Sequence, residues 1–125
     1  MQMIKKINQV PFWITMFLFL LIFYISGFVF PPSNETGSPG ISTILYHMSI
    51  FFFLAVFLFL SFPKAEKNKR LFAFLSIIAI AYAVLDEFHQ SFVPGRIASA
   101  GDFLVDSVGI AFAVLVYFVF TKIKE

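Results

Sequence analysis

The chain has no cysteine among its 125 residues, which excludes disulfides, thiolate metal sites and a cysteine nucleophile. It is also short of charge. Charged residues make up 13% and hydrophobic residues 60%, against a charged share of roughly 25% in soluble domains. A soluble fold of this size could not cover so much apolar surface, whereas lipid accepts apolar side chains facing outward. The net charge of +2 is small, and the basic residues sit at segment ends rather than in a stripe, which argues against a nucleic-acid partner. No internal repeat or second domain is visible, so one domain over residues 1–125 is expected. No small-residue cleavage pattern follows the first apolar run, so a cleaved signal peptide is not expected.

What is present is phenylalanine, 20 of them, carried in long apolar runs. A helix needs about 20 mostly apolar residues to cross the hydrocarbon core. Four stretches qualify, over about residues 11–30, 41–62, 71–90 and 102–121. Pro11 suits a helix start, Pro31 and Pro32 suit the end of the first span, and Asp102 suits an N-cap of the fourth. The runs lack period-2 alternation and are twice the length of a barrel strand. The expected fold is therefore all-α: a polytopic membrane four-helix bundle with a short outer loop between the third and fourth helices.

Orientation follows from the basic residues. Lys5 and Lys6 precede the first span, Lys64, Lys67, Lys69 and Arg70 lie between the second and third, and Lys122 and Lys124 follow the fourth. The other two loops, residues 33–40 and 91–101, carry one basic residue, Arg96. Both termini are expected in the cytoplasm of a cell membrane, with those two loops outside. Asn34, Glu35 and Thr36 form a formal glycosylation sequon on one of them, which matters only in a secretory host. Ala79 with Ala83, and Gly109 with Ala113, have the spacing that lets helices approach, although ordinary packing explains them equally.

Ionisable residues inside a span are costly and mark functional positions by default. Here they are His47, Asp86, Glu87, His89, Asp102 and Asp106, joined by Gln90 and the loop residue Arg96. At about 1.5 Å rise per residue, all fall near the outer end of their helices. Asp86 shares a helix face with His89 and Gln90, three and four residues on, and Asp102 shares one with Asp106. Glu87 points about 100° away. Pro94 and Gly95 suit a tight turn that presents Arg96 above the carboxylates. Carboxylates with histidine are ligand types for a divalent cation, Asp86, His89 and Asp106 being the candidate set. Arginine pairs with phosphate or carboxylate, and an acid beside a base supports proton chemistry. Plainer readings stand beside these: His47 as a hydrogen-bonded interhelical histidine, Asp102 as a cap only, and Glu87 with Arg96 as an interfacial ion pair.

The series Asp86, Glu87, His89, Gln90, then Phe92, Val93, Pro94, Gly95, Arg96, then Ala98, Ser99, Asp102, Asp106, Ser107, Val108 and Gly109 resembles the signature of the VanZ-like family. That signature runs from an acidic-Glu-x-x-Gln turn through a Pro-Gly-Arg loop to an Asp and an Asp/Asn-x-x-Gly on the last helix. His47 falls where the family has a histidine on its second helix. A lysine common three positions earlier is replaced by Ile44. The resemblance implies a small multi-pass cell-membrane protein, with His47, Glu87, Gln90, Arg96, Asp102 and Asp106 as functional positions. The family takes its name from a member linked to resistance to the glycopeptide antibiotic teicoplanin. It supplies no reaction.

Three functions are thus in view: a cell-envelope protein binding an anionic lipid-linked or cell-wall ligand in an outer polar pocket, a membrane-embedded hydrolase or transferase acting on a phosphorylated lipid, and a structural or assembly subunit. Apart from the bilayer and such a ligand, the sequence names no partner, and it leaves the oligomeric state open.

Overall fold

A computed structural model describes residues 7–29, 40–96 and 100–125. The sequon at Asn34, the Pro31-Pro32 pair and the loop residues Ala98 and Ser99 lie outside the described residues. The chain forms α1 (Gln9–Ser26), α2 (Ile41–Ser61), a 3-10 turn (Pro63–Glu66), α3 (Lys69–Ser91) and α4 (Ala100–Lys124). All four helices are apolar and long enough to span a membrane, at 18 to 25 residues each. At about 1.5 Å per residue that is roughly 27 to 38 Å, which matches a hydrocarbon core of about 30 Å.

The helices alternate up and down. α2 is the central element. It buries His47, Phe51, Leu54, Ala55, Leu58, Phe59 and Ser61, a stripe at spacings of three and four that follows one helix face. It packs most extensively on α4, then on α1, and also touches α3, while α3 completes the bundle against α4 and α1. Large apolar side chains on the outward faces, such as Phe17, Leu20, Ile77, Phe112 and Leu115, remain exposed, as expected of surface that meets acyl chains.

The tightest approach is between α2 and α4. A Cβ built on Gly109 would lie 2.3 Å from the carbonyl oxygen of Met48 and 3.2 Å from its Cα. Only glycine allows the two backbones to come this close. Gly109 thus does more than ordinary packing, the alternative left open by its spacing with Ala113. Ala113 of α4 and Ala79 and Ala83 of α3 are likewise fully buried.

Two helix ends differ from expectation. α1 stops at Ser26 rather than near Phe30. The amides of Gly27 and Phe28 fold back onto the carbonyls of Tyr24 and Ile25, closing the last turn. Continuation would not help, because Pro31 and Pro32 have no N–H to offer the carbonyls of Gly27 and Phe28. α4 begins at Ala100, so Asp102 is not the N-cap. It lies in the first turn, where a carboxylate still complements the helix dipole, as Lys122 and Lys124 do in the last turn.

At the basic end, Asn8 latches α1 onto α2. Its amide N–H donates to the Ser61 carbonyl and its side chain to the Leu60 carbonyl. The Asn68 side chain caps α3 by accepting from the amides of Arg70 and Leu71. Gly109→Ala is expected to destabilise the bundle by about 1–3 kcal/mol through overpacking. Gly101→Ala, at an exposed helical site, should shift stability by less than about 1 kcal/mol. Unfolding of the two variants in detergent, titrated with a denaturing surfactant, measures the difference; equal effects would remove the special role of Gly109.

Candidate functional site

The helix ends opposite the Lys64–Arg70 turn hold nearly all the buried polarity foreseen from the sequence. His47 is 6%, Asp86 4%, and Gln90 and Asp106 0% exposed, so the groups that expectation placed near a surface are enclosed by protein. A carboxylate in this position must find its hydrogen bonds internally, since lipid provides none.

Two hydrogen-bonded groups result. In the first, His47 of α2 meets Asp106 of α4, with Nδ1 and Oδ1 3.0 Å apart. With a carboxylate as acceptor, Nδ1 carries the proton. The contact lies one residue from Met48 and three from Gly109, so the close backbone approach is what brings this pair together. In the second, Asp86 of α3 accepts from the Ser26 hydroxyl of α1 at Oδ1 and from the Gln90 amide, one turn on, at Oδ2, the latter at 2.9 Å. The Ile22 carbonyl lies 2.7 Å from the same hydroxyl oxygen and shares its single proton with Asp86. The two groups are within electrostatic reach of one another, Asp86 interacting with both His47 and Asp106. All four helices thus contribute to one polar layer. Asp102 adds its charge to the His47–Asp106 pair, and Tyr46 is within electrostatic reach of Asp86, Arg96 and Asp106.

Arg96 is placed by a turn that the Pro-Gly dipeptide dictates. The Arg96 amide donates to the Val93 carbonyl at 3.2 Å, and Gly95 at the third position has φ +82°, the backbone of a type II turn. The guanidinium then reaches the end of α1. Its Nη1 donates to the carbonyls of Ser26 at 3.2 Å and Phe28 at 2.7 Å. The Phe28 carbonyl is one that the double proline leaves short of a donor, and Arg96 acts as a cationic C-cap of α1. It remains within electrostatic reach of Asp86.

His89 takes a different course. Its ring stacks on Phe23 of α1 with centroids 4.2 Å apart and planes 20° from parallel. Among the described residues no three His, Asp or Glu side chains are gathered so as to hold a metal ion, and the set Asp86, His89 and Asp106 is not one. Glu87 is half-buried on the adjoining face of α3. The open depression of about 380 Å³ lined by Pro63, Lys64, Lys67 and Asn68 lies at the opposite end and contains none of these groups.

Among the described residues, four buried polar atoms in or beside the layer find no hydrogen-bond partner: Oδ2 of Asp106, Oε1 of Gln90, Oγ of Ser107 and Nδ1 of His89. Such atoms cost free energy unless something occupies them. Ser26 was not among the candidates drawn from the sequence, and Ser107 appeared only as part of the family signature. Serines are common near span ends, and the one available signal was that Ser26 falls at the same depth as Asp86.

A four-span helical membrane protein with a polar layer at one end is the class this fold and site define. The chain belongs to the VanZ/LLP1 family, whose model matches residues 2–121. No curated protein and no solved structure matches it.

A double-mutant cycle on His47→Ala and Asp106→Asn tests the central pair. A coupling of about 1 kcal/mol is expected, the scale measured for interhelical hydrogen bonds in bilayers. Additive effects would mean that the two side chains do not interact.

Proposed function

We propose that this protein holds an anionic lipid-linked or cell-wall ligand at the outer face of the cell membrane, with the polar layer and Arg96 as the binding elements. The observation that carries the reading is Arg96, a guanidinium held at the rim of a layer to which all four helices contribute and which leaves buried polar atoms without a partner among the described residues. A purely structural network would be expected to close on itself. Arg96 is the one Lys or Arg residue at this end among the described residues, and arginine is the side chain suited to phosphate. The orientation rests on the basic flanks at Lys64–Arg70 and Lys122–Lys124, which leave the polar end outside. An effect on susceptibility to teicoplanin is what the family resemblance implies.

One observation favours a second reading, a membrane-embedded hydrolase or transferase acting on a phosphorylated lipid. The Nδ1 of His47 is held by a buried carboxylate, which orients an imidazole for proton transfer at its other nitrogen. Under this reading His47 and Asp106 carry the acid/base work.

Native mass spectrometry of the purified protein separates the cases. Binding predicts that phosphorylated lipids are retained by the wild type and lost by Arg96→Ala, with circular dichroism of the variant unchanged. An identical lipid profile in both would remove Arg96 from the site. Enzymatic action predicts products from polyprenyl phosphate or pyrophosphate that vanish in His47→Ala. A cysteine at exposed Ser91 should react with an impermeant reagent on intact cells; labelling only after lysis would invert the topology.

A further inference from the structure

The open hydrogen-bond valences of the polar layer have a sign. Two of the four orphaned atoms, Oδ2 of Asp106 as a carboxylate and Oε1 of Gln90, can only accept. The other two, on Ser107 and His89, can act either way. None is an obligate donor. Both obligate acceptors belong to side chains with no exposed surface, so bulk water does not serve them.

Charge agrees with this. Among the described residues the buried layer holds two carboxyl groups, Asp86 and Asp106, with the His47 ring facing Asp106 and one arginine at the rim. The guanidinium of Arg96 spends Nη1 on the backbone of α1. Asp86 receives only neutral donors, the Ser26 hydroxyl and the Gln90 amide. A phosphate, which accepts hydrogen bonds and is negative, suits the Arg96 rim but is repelled from the interior. A neutral hydroxyl would meet the acceptors but leave the excess negative charge in place. A protonated amine does both: it brings up to three donors and one positive charge.

We propose that the layer formed by Asp106, Gln90 and Asp86 recognises a primary ammonium group, so that the ligand is a phosphorylated molecule that also bears an amine. This rests on the proposed ligand-binding function and names the chemistry of that same site: phosphate at the Arg96 rim, ammonium toward the carboxylates.

The test uses three phospholipids with identical acyl chains and the same phosphodiester. Phosphatidylethanolamine carries –NH3+, phosphatidylcholine a quaternary ammonium without N–H, and phosphatidylglycerol hydroxyls only. Delipidated full-length protein is offered an equimolar mixture, and bound lipid is read by native mass spectrometry. Phosphatidylethanolamine is expected to be bound about tenfold over each of the others, the scale of one charge-assisted hydrogen bond. Asp106→Asn, which puts a donor where the open acceptor stood, should bring the preference close to parity. If that variant does not accumulate, Gln90→Met removes the second open acceptor and should reduce the preference as well. Equal binding of the ethanolamine and choline lipids, a preference for phosphatidylglycerol, or a preference that both variants keep would each overturn the ammonium assignment. If Arg96→Ala still weakened all three lipids, the phosphate-binding function would survive that result. Binding of none of the three would overturn both.

Discussion

A carboxylate placed inside an apolar helix has to be satisfied by the protein, because the surrounding lipid offers neither hydrogen bonds nor solvation. Asp106 and Asp86 impose that requirement on this bundle. Asp106 is met by His47, which requires α2 and α4 to come together at that level, and the absence of a side chain on Gly109 lets them. Asp86 is met by Ser26, which pins the end of α1 against α3. Both contacts lie at one end. Elsewhere the helices are held by apolar packing, by Tyr82 of α3 donating to the Phe19 carbonyl of α1, and by the Asn8 latch. The polar end therefore sets α2 beside α4 and α1 beside α3, while the contacts of Asn8 and Thr15 with the end of α2 set α1 beside α2.

The same end also holds the feature that a network built only for stability would lack. Half of Asp106 is paired and half is not. Gln90 donates to Asp86 while its own carbonyl oxygen has no partner among the described residues. The paired atoms account for architecture, and the unpaired ones carry the functional proposal. Arg96 belongs to both. It repairs the carbonyls at the end of α1 and supplies the positive charge of its loop.

Much of this was legible in the sequence, for identifiable reasons. The number of spans follows from long apolar runs, and the convergence of His47, Asp86, Gln90 and Asp106 in depth follows from the constant rise of a helix. The Pro94-Gly95 turn follows from backbone chemistry. Depth does not give azimuth, however. Which helix faces which is set by three-dimensional packing, so the division into His47 with Asp106 and Asp86 with Ser26 was not readable. Nor was the stacking that carries His89 toward Phe23. The early end of α1 was hidden because the proline pair marks where donors are missing but not how the shortfall is met. Gly109 was noted for its spacing with Ala113, yet spacing alone cannot separate a backbone contact from loose packing.

The most direct measurement is the distance from His47 Nδ1 to the Asp106 carboxyl carbon in lipid bilayers, by solid-state NMR dipolar recoupling on selectively labelled protein. A strong coupling, as a hydrogen bond of 3.0 Å requires, is the expected result, and it should disappear when Gly109→Ala forces α2 and α4 apart. Absence of coupling in the unmodified protein would contradict the polar layer as the element that organises the bundle and its site.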